Sequence, residues 1–333
     1  MANGKTLLAL DFGGTKLTAG LARMGEPRWV ARGQVPSPPG ADAASDRERI
    51  LALARRLLDE AEACPAAVGV SFGGPVDAAR GRVFLSHHVP GWEDFPLAAW
   101  LQGELGVPAA VDNDANLGAL GEWRLGAGRG GASPLYVTVS TGVGGGWVLD
   151  GRVYHGADSL AGEIGHMTVQ PGGPLCTCGR RGCVEALAAG PAIARRAKER
   201  LRADPRAGAL LREAVRGDVE AVTAREVSQA AEAGDPLAWE VLEEAARALG
   251  MGVGAAIVLM NPQRVVVGGG VSKAGERYFA AVREAARAHV LPGMTVDIVP
   301  AALGDDAPLW GAVALAEQLL ASGPHLSLRS STP

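Results

Sequence analysis

The chain has 333 residues, of which 47% are hydrophobic and 20% charged, a composition that supports an interior large enough for two domains and excludes a disordered or fibrous chain. The formal net charge of −4 provides no general basic footprint, so no nucleic-acid partner is expected. No apolar run approaches the ~18 residues of a membrane span, and the polar stretch Met1 to Lys5 carries no leader-like pattern, so the expectation is a cytoplasmic protein with no membrane partner.

In chain order, residues 6–11 form a short apolar run ending at Asp11. Gly13-Gly14-Thr15 follows, and apolar residues resume from Leu17 to Leu21, which predicts a hairpin. Apolar residues at helical spacing predict a helix over 46–63, and Ala67 to Ser71 reads as a buried strand running into Phe72-Gly73-Gly74-Pro75. A helix is expected over 97–105. A strand over 109–111 then delivers Asp112, Asn113 and Asp114, and a helix over 115–125 follows. Gly126, Gly128 and Gly131 spell G-x-G-x-x-G, but they follow a helix and precede a strand, the reverse of a dinucleotide fingerprint.

Leu135 to Val139 opens a second unit of the same kind. Ser140 to Gly146 forms a glycine-rich stretch, and Trp147 to Leu149 a second strand. Aligning Gly14 with Gly142 pairs the two hairpins, with Leu7 opposite Leu135, which suggests an internal duplication. Residues 155–185 read as loops. Helices are expected over 191–211, 222–259, 278–288 and 309–320, with strands over 264–267 and 296–300 and a frayed tail from Ser327. The boundary between domains is expected near residue 112: residues 1–112 with the last helix (308–325) in one domain, 113–307 in the other.

A two-glycine loop lets backbone N–H groups approach an anion closely. Gly13, Gly14, Thr15 and Lys16 form one such loop, preceded by Asp11, which is placed to orient a hydrated Mg²⁺; Thr141, Gly142 and Gly144 lie in the other. A plain tight turn is the competing structural role for each. No Walker loop occurs. Asp114 can serve as a general base and Asn113 can fix a hydroxyl, while capping of the next helix by Asp112 or Asp114 is the structural alternative.

His166, Cys176, Cys178 and Cys183 offer three thiolates and one imidazole, a complete tetrahedral Zn²⁺ shell and therefore a structural rather than catalytic one. The alternative is that the cysteines merely pack. Cys64 stands alone as a small buried hydrophobe. Glu163 and Glu185 flank the cluster as sugar-hydroxyl acceptors or, alternatively, as surface acids.

The segments LALDFGGTKL (8–17), VDNDANLGALGE (111–122), VSTGVGGG (139–146), LAGEIGH (160–166) and CTCGRRGCVEAL (176–187) together resemble the ROK family of repressors, open reading frames and sugar kinases, over nearly the whole chain. The resemblance implies an α/β, two-domain, actin-like ATPase fold of the ribonuclease H-like, hexokinase type, with a zinc-binding loop and with ATP and sugar taken between the domains. It implies Asp114 as catalytic base and Gly74, Asn113, Asp114, Glu163, His166 and Glu185 as sugar ligands. The phosphate loops include Asp11, Gly13, Gly14, Thr15, Lys16, Thr141, Gly142 and Gly144, and Gly269 lies near the adenosine. ATP, Mg²⁺ and structural Zn²⁺ are the implied cofactors. The favoured reaction is phosphorylation of a hexose 6-hydroxyl, glucose first, with fructose, mannose, N-acetylglucosamine and N-acetylmannosamine as alternatives. Asp11 arrives too early for the N-terminal helix-turn-helix of repressor members, which favours a kinase over a sugar-sensing regulator. A homodimer or homotetramer is the implied assembly. Many relatives carry an Asn in the segment held here by Ser86 to Trp92, where His87 and His88 stand instead.

Overall fold

The computed structural model describes residues 4–86 and 89–322. The contrast at His87 and His88 and the tail from Ser327 lie outside the described residues. The chain divides into two compact units. One takes the residues up to Arg129, Gly151–Ala161 and those from Asp306 on; the other takes Gly130–Asp150 and Gly162–Asp305. The division therefore falls after residue 129 rather than near residue 112. The helix after Asn113 stays with the first unit because it packs along the helix that begins at Ala307.

In the first unit, β1 (Thr6–Phe12), β2 (Lys16–Arg23) and β3 (Trp29–Pro36) form a meander, followed by α1 (Ala43–Glu60) and β4 (Pro65–Phe72). A small hairpin, β5 (Val76–Asp77) and β6 (Arg82–Val83), precedes α2 (Leu97–Leu105), β7 (Ala109–Asn113) and α3 (Asp114–Leu125). The sheet order is β3-β2-β1-β4-β7. β1 is antiparallel to β2 and parallel to β4, and β4 is parallel to β7. Asp42 starts α1 by accepting the Ser45 N–H at 2.8 Å, satisfying a donor that the first turn leaves orphaned.

The second unit opens with β8 (Leu135–Val139) and β9 (Val143–Leu149); β10 (Arg152–Val153) lies in the segment belonging to the first unit. Then come α4 (Val184–Ala188), α5 (Gly190–Ala203), α6 (Ala209–Ala214), α7 (Ala224–Glu232), α8 (Pro236–Met260), β11 (Arg264–Gly268), α9 (Glu276–Arg287) and β12 (Asp297–Pro300). Asp235 caps α8, Pro236 occupies its first turn, and Asn261 ends it at φ 46°, as helix-end chemistry dictates. Its strands run in the order β9-β8-β11-β12. β8 is antiparallel to β9 and parallel to β11, which is parallel to β12. This repeats the β2-β1-β4-β7 pattern of the first unit, so the suggested duplication is present in the topology. α10 (Ala307–Ala321) closes the chain within the first unit, where backbone meets backbone: a Cβ on Gly311 would lie 1.8 Å from the Leu117 carbonyl oxygen of α3.

Candidate active site and metal centre

Three parallel strands of the first unit end together. Asp11 of β1 pairs with Ser71 of β4, which pairs with Asp112 of β7, so their side chains and the loops beyond share the carboxyl edge of the sheet, where open α/β sheets bind ligands. Beneath that edge, Phe12 and Phe72 each meet the buried Trp92 edge-on, with ring centroids 5.2 and 5.0 Å away. That contact fixes the strand ends that carry the functional groups.

The Ser71 hydroxyl donates to Oδ1 of Asp11 at 2.6 Å. Burial holds the Asp11 carboxyl above its usual range, partly offset by that bond and by Lys16. The turn itself is tight, with the Gly13 N–H donating to the Lys16 carbonyl at 3.1 Å. Lys16 begins β2, opposite Pro36, and Gly14 and Thr15 remain in the turn.

Asn113, rather than Asp112 or Asp114 alone, caps α3. Its Oδ1 accepts the Ala115 N–H at 2.9 Å, and its Nδ2 donates to the Gly74 carbonyl at 2.9 Å. Asp114 also accepts the Ala115 N–H, at 2.8 Å through Oδ1. Its carboxyl is pushed up to about 6, first by burial and next by the negative charge of Asp11. A carboxylate so tuned is a competent base near neutral pH.

In the second unit, Ser140, Thr141 and Gly142 make the turn between β8 and β9, closed by the Ser140 N–H on the Gly142 carbonyl at 2.8 Å. Gly144 lies in β9, paired with Thr138, because the strand begins within the glycine run at Val143. Gly269 follows β11 at φ 88° and sits against Val139. Next to these turns is a cavity of about 880 Å³ lined by Ser140, Thr141, Lys198, Gln229, Gly270 and Lys273, among others, large enough for a nucleoside.

The ligand atoms of His166, Cys176, Cys178 and Cys183 all lie within 4.8 Å of one another. Cys176 Sγ is 3.6 Å from His166 Nδ1, and Cys178 Sγ is 3.7 Å from Cys183 Sγ. A tetrahedron of thiolates about 2.3 Å from Zn²⁺ has edges of about 3.8 Å, so the four residues fit that ion. Nδ1 faces the cluster, which leaves Nε2 on the side of Glu163, 3.8 Å from Oε2. The loop depends on Gly182, at φ 74°, where a Cβ would lie 1.6 Å from the Gln170 carbonyl oxygen.

Glu185, two residues beyond Cys183, is half-buried. Its Oε1 accepts the Thr177 hydroxyl at 2.9 Å and its Oε2 the Val143 N–H at 3.1 Å. It is therefore no free surface acid, whereas Glu163 is exposed. Cys64 is exposed as well, so it is not the buried hydrophobe expected from the sequence; it lies in the loop between α1 and β4.

Sequence reasoning missed His155, whose Nε2 lies 2.7 Å from Oδ2 of Asp112, and Thr177. His155 stands alone in a loop segment, and no local pattern links it to a carboxylate 43 residues away.

A model of the ROK family matches residues 7–319. The chain belongs to the ROK family. A glucokinase from Halalkalibacterium halodurans is 37% identical to it over 317 residues, which cover 93% of this chain and 94% of that protein. In structure this ROK chain is similar to a ROK hexokinase from Thermus thermophilus, with a TM-score of 0.80 and 38% identity over 96% of this chain and 100% of the other. It is also similar to a ROK family glucokinase from Streptomyces griseus in complex with glucose and AMPPNP, with a TM-score of 0.81 and 35% identity over 94% and 99% of the two chains. With the duplicated sheet topology, these likenesses make the fold the actin-like, ribonuclease H-like ATPase fold of hexokinase type.

Proposed function

We propose that this protein is an ATP-dependent hexokinase that phosphorylates the 6-hydroxyl of glucose. The observation that carries the reading is Asp114, a carboxylate at the carboxyl edge of the first sheet with its pKa raised to about 6, in a ROK chain similar to glucokinases along nearly its whole length.

In the proposed reaction the glucose O6 attacks the γ-phosphorus of ATP, the bond from that phosphorus to the β–γ bridging oxygen breaks, and ADP leaves. Asp114 accepts the O6 proton as the new bond forms. Asn113 has one amide hydrogen on Gly74, and the other is free to orient a sugar hydroxyl. Glu163 and Glu185 supply further acceptors for sugar hydroxyls, and His166, with Nδ1 turned to the metal cluster, donates its Nε2–H to a sugar oxygen. The N–H groups of Gly14 and Thr15, and those of the Thr141–Gly142 turn, would donate to the phosphates, and the cavity beside Gly270 would take the adenosine. Asp11 would hold Mg²⁺, which would supply charge neutralisation on the phosphates. His166, Cys176, Cys178 and Cys183 hold Zn²⁺, which, having four protein ligands, would supply a fixed scaffold for the loop between Glu163 and Glu185 rather than Lewis-acid chemistry.

The test is phosphoryl transfer by purified protein with Mg·ATP and, separately, glucose, fructose, mannose, N-acetylglucosamine and N-acetylmannosamine. Preferential formation of glucose 6-phosphate supports the reading. Preference for another sugar reassigns the acceptor, and sugar binding without turnover overturns the kinase assignment.

A further inference from the structure

Asp112 is buried to 1% exposure immediately before the residue that caps α3. Its Oδ1 accepts the Asn113 N–H at 2.7 Å and the Asn116 side-chain amide at 2.9 Å. Its Oδ2 receives the imidazole Nε2 of His155 at 2.7 Å. These three bonds converge on the junction between β7 and α3, the turn that aims Asn113 and Asp114. Two of the donors are local to that junction. The third comes from Gly151–Ala161, the segment that runs into Gly162 and Glu163.

We infer that His155 is a positioning residue for the catalytic base: by donating to Asp112 it fixes the carboxylate that holds the start of α3, and so fixes the direction of Asp114. A buried carboxylate oxygen left without a donor must turn toward water or take up a proton. Either change weakens the hold of Oδ1 on the Asn113 N–H and the Asn116 amide. The first turn of α3 then loosens, and a base displaced by a fraction of an ångström loses rate more than affinity. The Nε2–H donor is present in the imidazolium and in the Nε2–H tautomer of the neutral imidazole, the one a carboxylate facing Nε2 favours, so this role does not require a charged histidine.

The surroundings make the inference testable. The His155 side chain is 34% exposed and borders a cavity of about 660 Å³ within the first unit, lined also by Asp77, Arg80, Phe84 and Asp158. Removing the imidazole leaves a space that a free imidazole molecule can enter.

The inference rests on Asp114 being the base, so Asp114→Asn is assayed in parallel with His155→Ala and His155→Gln. Expected for His155→Ala is a kcat reduced roughly ten- to hundredfold, as for loss of a hydrogen bond to a charged group. KM for glucose and for ATP should be little changed. Added imidazole should recover part of kcat, and His155→Gln, which can place an amide N–H near the position of Nε2, should keep most of it. A wild-type kcat in His155→Ala overturns the inference, as does a loss that neither imidazole nor glutamine recovers. Should the alanine variant fail to fold, His155→Gln and His155→Leu carry the same test, and equal activity in those two overturns it. If Asp114→Asn turns over normally, the base assignment has failed. If Asp114→Asn is inactive while His155→Ala is normal, only the positioning role has failed.

Discussion

The Oε2 atom of Glu185 accepts the backbone N–H of Val143 at 3.1 Å, so the helix that follows Cys183 is tied to the strand that follows the Thr141–Gly142 turn. The same carboxylate accepts the Thr177 hydroxyl through Oε1. One side chain thereby joins the cysteine loop to the second glycine turn.

Replacing Glu185 by Gln should therefore disturb two elements together. The amide oxygen can still accept one of the two bonds but its nitrogen can accept neither, so the charged acceptor shared by Val143 and Thr177 is lost, and a hydrogen bond to a charged acceptor is worth about 1.5–3 kcal/mol. The expected outcome is a KM for glucose raised roughly ten- to hundredfold, with a smaller rise for ATP, read from steady-state kinetics at varied concentrations of each substrate.

Metal analysis of the purified protein should find one equivalent of zinc. Cys178→Ser removes one of four ligands, and an incomplete tetrahedral shell binds Zn²⁺ far more weakly. The variant should lose zinc and glucose affinity together, since His166 and the flanking glutamates depend on the same loop. Zinc content is checked by elemental analysis and sugar binding by calorimetry; a zinc-free variant with normal glucose affinity would contradict the scaffold role.

Asp114→Asn should lower kcat by roughly 10²–10⁴-fold, the contribution of general base catalysis, with glucose still bound. In the unmutated protein the base must be ionised to work. Burial and Asp11 hold its pKa at about 6, so kcat/KM should be full above that pH and should fall about tenfold per unit below it. A profile flat from pH 7 down to pH 5 would exclude Asp114 as the base.

Gly311→Ala tests the packing that keeps α10 in the first unit. The added methyl would meet the Leu117 carbonyl oxygen of α3 at 1.8 Å, so the helices must part. Overpacking of this kind costs about 1–3 kcal/mol, measurable as a lower urea midpoint. Zinc content should be unchanged, because the cysteine loop belongs to the other unit.

Much of the candidate site was legible because its signals are local. The Leu135–Val139 strand and the Leu97–Leu105 helix have the expected bounds, since apolar pattern and flanking turn residues suffice to end them. The cysteine spacing likewise pointed to a cluster with His166, and the four ligand atoms do lie within 4.8 Å of one another. β3 was not legible: its residues alternate between half-buried and exposed, its outward face mixes Val30 and Pro36 with Arg32 and Gln34, and its pairing is with β2 alone. The second glycine run was expected to be a loop as far as Gly146, yet it becomes strand at Val143 because β8 offers it a hydrogen-bonding partner.

The sequence by itself determined many of the elements, the duplicated strand–turn–strand pattern and the grouping of Cys176, Cys178 and Cys183 with His166, because each of these follows from neighbours within a few residues. Only the tertiary structure decided that Asn113 is the helix cap, that Glu185 is shared by two loops, and that His155 answers a carboxylate 43 residues earlier. Those assignments turn on which buried polar group finds a partner once the sheets have formed, and a buried donor or acceptor is satisfied by whatever the fold brings near it, at any separation along the chain.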